Sequence, residues 1–278
     1  MGSTKVVDSL VKELLKQVDN GGLDWVGEKQ KLQTMLDAKV PMDREWAFNQ
    51  IDSHCQANKS ARILDYGCGT GVLNLLLLLK GYDDVHGVDV VEKFDSRILQ
   101  LMNFENASFN LVGVDDPLPF DDKSFDVISS SLVLEHVKNV DLYYSEAARV
   151  LKPGGVCFFN FPHRLKPYDS HSRCWFIHYF PKPIRKILWD IFARQEGKYL
   201  NDYLFLRTTA THRRIAKKYF THVEDTTVQR IERVNFVNYK GSSTLRVLAG
   251  KLINSKYLGS FFARVFSLNA STDLYLIK

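Results

Sequence analysis

From residue 61 onward, short runs of Val, Ile and Phe alternate with helix-length segments, and that rhythm leaves few folds open. "ARILDY" precedes "GVLNLLLLLKG", "VHGVDV" precedes "EKFDSRILQLMNF", and "SFNLVG" follows. "FDVISSS" then leads into "VDLYYSEAARVL", and "KPGG" reads as a turn before the buried strand "VCFFNF". Strands that are apolar on both faces must be covered on both faces, so the pattern predicts a parallel sheet between helical layers. The chain is therefore expected to form a doubly wound α/β domain over 61–162, and its 278 residues are enough to bury such a core.

The flanks read differently. Residues 1–60 are expected to form a helical N-terminal cap, with apolar positions Val6, Leu10, Leu14, Leu15 and Val18 at helical spacing before the breaker "DNGG". One or two further helices are expected over 28–56, around Pro41. Residues 163–207 form an aromatic and basic insert without a clean period. Residues 208–278 return to the sheet, with "ATHRRIAKKYF" as a helix, "HVEDTTVQRI" and "STDLYLIK" as strands, and a second insert over 233–268. The first residues carry no secretory pattern, and Val6 stands where a myristoylation signal needs Ser or Thr. "VLNLLLLL" is too short to span a bilayer. The four cysteines, Cys55, Cys68, Cys157 and Cys174, are scattered without metal-ligand spacing. A soluble cytoplasmic protein with reduced thiols and no metal is the expectation.

"ILDYGCGTG", Ile63 to Gly71, packs three glycines into five residues behind the first strand. Such density lets backbone approach a ligand closely. A dinucleotide fingerprint would need its third glycine where Val72 stands. Asp65, at the strand end, would repel a pyrophosphate but stabilise an ammonium or sulfonium. Asp89, ending the second strand, is placed to accept ribose hydroxyls, a use shared with dinucleotide folds. A cationic ligand with a ribose and no phosphate fits, and S-adenosylmethionine has those parts.

With these motifs the sequence resembles the class I S-adenosylmethionine-dependent methyltransferases, and within them the small-molecule and quinone-pathway group. The resemblance covers about Ile63 to Pro162 and the terminal strand. It rests on "ILDYGCGTG", the acid of "GVDV", "LPFDDKSFDVISSSLVLEHV" and "EAARVLKPGG". It implies a Rossmann-like seven-stranded sheet whose last strand runs antiparallel, S-adenosylmethionine as cofactor held at Asp65, Gly67, Gly69, Gly71 and Asp89, and methyl transfer as the reaction. An acid near the end of the third strand contacts the adenine amine in the family. Asp115 in "GVDDPLPF" is the nearest match, displaced by about one position.

The acceptor is expected outside the carboxyl ends of the strands, near "SSSLVLEHV" and "PHR", where His136 and His163 are candidate general bases. The Asn/Asp-Pro-Pro-aromatic grip of nucleobase methylases is missing from that first stretch, and the net charge of +5 is mild, so nucleic acid is not expected as a partner. Residues 163–218 hold 13 Lys/Arg against 4 Asp/Glu, interleaved with aromatics. One reading is an acceptor lid in which Arg164, Lys166 or Arg173 grips a small polar molecule, with O-methylation of a sugar or sugar-phosphate-like compound as the leading expectation. A second is a lipid or quinone-precursor methyltransferase at a membrane surface, with "WFIHYFPKPIRKILWDIF" and "LGSFFARVFSL" as its foot. A third is a non-catalytic cofactor-binding partner subunit. The aromatics can equally be the insert's own core. The methylated atom and the oligomeric state stay open at this point.

Overall fold

A computed structural model gives the fold; it describes residues 2–20, 29–30, 33, 43–56, 58–94, 96, 99–100, 103–169, 174–192, 202–233, 264–265, 267 and 270–278. The chain divides into two compact units. One comprises Met1–Ser131, Ser145–Phe158 and Ile277–Lys278, the other Leu132–Tyr144 and Phe159–Leu276. Of the helix expected over 92–104, residues 92–94 are not helical and 99–100 are, while 95, 97–98 and 101–102 lie outside the described residues, as does most of the second insert over 233–268.

In the first unit, α1 (Gly2–Asn20) and α2 (Asp43–Cys55) pack on α3 (Val72–Leu79). The buried stripe of α1 is Val7, Val11, Leu14 and Val18. Val6, Leu10 and Leu15, expected on that face, are only half-buried: the true stripe follows the 3.6-residue period one position along. The apolar run of α3 is explained by its place. It meets α1 and α2 on one side and strand β2 (Val85–Asp89) on another, so Val72 through Leu78 are buried all round.

The sheet places its strands in the order β3-β2-β1-β4-β5-β9-β8, with β1 Ile63–Tyr66, β3 Ser108–Leu111, β4 Phe125–Ser131, β5 Leu151–Phe161, β8 His222–Asp225 and β9 Thr272–Ile277. β1 runs parallel to both β2 and β4, and β2 parallel to β3, while the last strand is antiparallel. This is the doubly wound, seven-stranded arrangement expected. "KPGG" is not a free turn but part of β5: Gly154, at φ +77, donates its N–H to the Lys278 carbonyl, and the Lys278 N–H donates to Gly155. Two glycines opposite one residue make a bulge that a left-handed glycine permits. "HVEDTTVQRI" is likewise not one strand. β8 stops at Asp225, whose carboxylate accepts from the Thr227 N–H and hydroxyl and starts the helix α7 (Thr227–Arg233).

The family-like motifs of the first unit are held by one guanidinium. Arg149, on α4 (Val140–Val150), donates to the carbonyls of Leu118 and Phe120 and to Asp122, and pairs with Glu146, which in turn accepts the Leu118 N–H. Arg149 holds the Glu146 carboxyl below its ordinary range. "EAARV" thus pins "LPFDD" from the adjoining helix.

The second unit contains α4's first turn, the end of β5, a two-stranded sheet of β6 (Tyr168–Asp169) and β7 (Cys174–Trp175), a 3-10 turn Ile177–Tyr179, α5 (Lys182–Phe192) and α6 (Thr209–Ala216). His212, on α6, is buried against the Phe161 ring at 4.1 Å between centroids, with Nδ1 3.2 Å from the Tyr144 hydroxyl. Burial, reinforced by the Arg207 charge, pulls its pKa down to about 3 from 6.5. Between those values the unfolded chain binds the extra proton, so stability is complete above 6.5 and falls as pH drops toward 3. The expected slope is up to about 1.4 kcal/mol per pH unit. Urea unfolding of wild type and His212→Gln, followed from neutral pH down to about pH 5, should show this slope in wild type and its loss in the variant.

Candidate functional site

The turn between β1 and α3 is built from left-handed backbone. Gly67, Gly69 and Gly71 have φ of +92, +55 and +74. A Cβ on Gly71 would lie 2.5 Å from the Phe109 ring, so that position must be bare for packing. A Cβ on Gly69 would meet nothing within 4 Å, so there the backbone faces open space. The turn lies between β2 and β4, where the strand order reverses, the place where open α/β sheets bind ligands.

Two carboxylates meet at this turn. Asp65 is buried, level with Gly87 on β2 and Ser129 on β4. Asp89 accepts the Gly69 N–H at 2.8 Å through Oδ2 and the Val91 N–H at 3.0 Å through Oδ1, which fixes the carboxylate beside the glycines. Between them is Cys68, whose thiol is pushed up by burial and by the charges of both acids. Asp115 stands in the exposed loop after β3 at φ +65. Burial, Glu146 and then Asp115 raise the Tyr66 hydroxyl, which puts Asp115 within electrostatic reach of the end of β1. The five residues Asp65, Gly67, Gly69, Gly71 and Asp89 therefore come together, with Asp115 at the margin. Among the described residues no group of His, Cys, Asp and Glu could hold a metal ion.

The acceptor candidates belong to the second unit. His136 is exposed, and its Nδ1 lies 2.9 Å from the Tyr203 carbonyl. A carbonyl only accepts, so Nδ1 carries the proton and the neutral ring keeps its lone pair on Nε2, the form a general base needs. The loop is clamped by residues 203–207: the Phe205 N–H donates to Glu135, and Arg207 donates to the carbonyls of Val137 and Lys138. The Arg207 carbonyl in turn accepts the Arg164 N–H. The same short segment thus joins the loop of His136 to that of His163 and Arg164. His163 is buried and its carbonyl accepts the Lys166 N–H. Arg164 is exposed and lines a cavity with residues of α5; Arg173, and His171 beside it, lie outside the described residues.

Sequence reasoning did not find Arg207, since its carbonyl partners are remote along the chain. It also missed Leu132, held at φ +58 directly after β4 with its N–H on the Asn160 carbonyl. An apolar residue in that conformation is strained by about 1–2 kcal/mol, which marks the start of this loop as constrained.

The chain is similar to known proteins in its sequence and in its fold. Residues 64–159 match the family described as a methyltransferase domain. The chain is 39% identical over 111 residues to a demethylmenaquinone methyltransferase of Tropheryma whipplei (strain Twist), covering 37% of this chain and 44% of that one. It is 28% identical over 161 residues to a ubiquinone biosynthesis O-methyltransferase of Hydrogenovibrio crunogenus, covering 53% and 66%. The chain thus spans about half to two thirds of the length of these relatives. Among solved structures, the [4+2]-cyclase SpnF superposes with a TM-score of 0.50 at 15% identity, covering 85% of this chain and 81% of that one. The MccD protein gives 0.50 at 14%, covering 84% and 97%. These likenesses define the fold. The match to a methyltransferase domain thus falls on residues 64–159, the stretch that holds the glycine turn and both of its carboxylates.

Asp89→Ala removes the anchor of the Gly69 amide and the carboxylate beside the open backbone of the turn. Calorimetric titration with S-adenosylhomocysteine should show affinity weakened by about 1–3 kcal/mol, whereas unchanged affinity would remove Asp89 from the site.

Proposed function

We propose that this chain transfers a methyl group from S-adenosylmethionine to a small-molecule acceptor, and that the acceptor is a quinone precursor or a similar lipid-phase compound. The observation that carries the first part is the pairing of open left-handed glycine backbone at Gly69 with the fixed Asp89 carboxylate and buried Asp65. This cradle fits a cofactor with a cationic amino-acid end and a ribose: Asp65 and the glycine amides would hold the former, Asp89 the latter. When bound, the cofactor supplies a methyl on a positively charged sulfur, and its displacement leaves S-adenosylhomocysteine.

The chain's own task is to align the acceptor, exclude water and take its proton. His136 is the best placed base, because the Tyr203 carbonyl fixes its tautomer. Relatives named for menaquinone and ubiquinone synthesis favour the lipid-phase acceptor over the sugar or sugar phosphate that the basic insert suggested. The exposed aromatics of the insert, Trp175, Phe176, Tyr179 and Phe180, favour it as well.

Methyl-labelled S-adenosylmethionine incubated with the protein and demethylmenaquinone in detergent, or with a water-soluble sugar phosphate, tests the acceptor class. Label in the organic phase is the expected outcome. Label only in the aqueous phase would return the sugar-type acceptor, and cofactor binding without labelled product from any extract would favour a non-catalytic subunit. His136→Gln should lower kcat by about a hundredfold or more while leaving S-adenosylhomocysteine affinity unchanged. Turnover at the wild-type rate would reduce His136 to a packing residue.

A further inference from the structure

α5 is amphipathic the wrong way round for a helix on a soluble surface. Ile184, Ile187 and Ile191 follow one another at helical spacing and are 47%, 59% and 60% exposed. On the opposite side of the same helix, half-buried Arg185 and buried Trp189, with Lys182 exposed beside them, line a cavity of about 250 Å³ with Arg164 and His178. A helix normally buries its apolar stripe and leaves its charges in water. Here Arg185 is drawn partly into a cavity, while three isoleucines share the water-facing side with Lys186 and Asp190.

The cavity is built to receive negative charge. Arg185 Nε and Trp189 Nε1 are buried donors without an acceptor among the described residues, and both ring nitrogens of His178 lack a hydrogen bond there. Trp189 and His178 are 1% and 2% exposed, so water does not readily serve them from outside. Buried donors in that state are costly. The Arg185 guanidinium stacks over the Trp189 ring at 5.0 Å. Burial and the neighbouring Arg164 charge pull Arg185 below its ordinary pKa, against the pull of Asp169. Asp169 is the acid close by, its Oδ2 3.4 Å from His178 Nε2. Among the described residues, Arg164, Lys182 and Arg185 stand against one carboxylate, a surplus that an anion would satisfy.

The apolar face extends beyond the helix. Trp175 and Phe176, 61% and 52% exposed, continue into Tyr179 through a chain of ring contacts, and Phe176 is held at φ +58. Aromatic rings beside an isoleucine stripe suit the boundary between headgroups and acyl chains. The helix is about 10 Å across, and interfacial helices sink by about 5–10 Å. With the isoleucines in the acyl boundary, the opposite face therefore lies at the level of lipid phosphates.

We infer that the insert docks this chain onto an anionic phospholipid surface, with Ile184, Ile187 and Ile191 entering the interface and a lipid phosphate taken by Arg164, Lys182 and Arg185. This stands independently of the methyltransferase reading. It gives that reading a geometry, since a chain so docked meets an acceptor dissolved in the bilayer.

Cosedimentation of the full chain with phosphatidylcholine vesicles, with and without phosphatidylglycerol, tests the inference. The chain should pellet with the anionic vesicles only, and less as salt rises. Ile187→Asp should weaken this binding by more than about tenfold. Lys182→Gln should weaken it by about fivefold. Unchanged S-adenosylhomocysteine affinity in each variant shows that the core is folded. Absence of vesicle binding, or wild-type binding by Ile187→Asp, would overturn the inference. Capture of inorganic phosphate by a chain that ignores vesicles would do the same, assigning the cavity to a soluble phosphorylated ligand. So would concentration-dependent dimerisation through the isoleucines in a chain that ignores vesicles. A chain that docks yet fails to bind S-adenosylhomocysteine would remove the methyltransferase reading and leave the docking surface standing.

Discussion

The turn from β1 into α3 is the constraint on which the first unit depends. The chain must leave a buried strand and re-enter a helix that is itself buried on every side, within five residues. Side chains cannot follow that path: Gly67, Gly69 and Gly71 all take positive φ, and the Phe109 ring fills the space where a Cβ on Gly71 would stand. The same ring closes against Gly87, where an added Cβ would meet it at 2.8 Å. One aromatic on β3 thus sets the approach of β2 and of the glycine turn together. What remains open is the backbone around Gly69, and the carboxylate that fixes it comes from Asp89 at the end of the neighbouring strand. Packing and ligand site are one arrangement here, seen from two sides.

Two arginines give the loops around this core their shape. Arg149 gathers the carbonyls of Leu118 and Phe120 in the first unit, and Arg207 gathers those of Val137, Lys138 and Phe205 in the second. A guanidinium offers five donors in a rigid plane, so a single side chain can satisfy several loop carbonyls that secondary structure leaves unpaired. Lysine at either position would satisfy fewer and hold none of them in fixed relation. The difference between the two sites lies in the counter-charge. Glu146 and Asp122 neutralise Arg149, whereas the Arg207 groups above bond only to neutral carbonyls, and burial lowers its pKa. Among the described residues, Arg207 thus bonds to carbonyls and to no carboxylate next to the His136 loop.

The strand and helix order was legible because it follows from local periodicity, and the glycine turn because its requirement is written into consecutive residues. Boundaries were less so. The stripe of α1 is shifted by one residue because either set of apolar positions satisfies a helical period, and only packing against α3 chooses between them. "KPGG" was extended into β5 by pairing with Lys278, a partner more than a hundred residues away. The clamps were hidden for the same reason: Arg149 reaches 29 residues back to Phe120, and Arg207 reaches 70 residues back to Val137. In the insert, the spacing of Lys182, Arg185 and Trp189 did carry a signal, since it defines one face of a helix. Composition alone left those cations between an acceptor lid and a membrane foot. Which face turned inward depended on tertiary packing: Ile177, Trp189 and Leu204 form the insert's small core, while Trp175 and Phe176 stay outside it.

Net charge conceals how the polar work is divided. A formal +5 over the whole chain suggests a mildly basic surface and little else. The charges are in fact segregated by what each region must meet. Acids, Asp65 and Asp89, converge on the glycine turn, where fixed negative charge repels phosphate and attracts a cation. Bases collect in the insert, around a cavity with unsatisfied donors. Averaging the two erases both signals. Segregation of this kind suits a cationic ligand in one place and an anionic one in another, because mixed charges would weaken both. The isoleucine stripe of α5 adds a third solvent to the list. Its outward direction accompanies an inner face given to Trp189 and Arg185, since one helix cannot bury both sides.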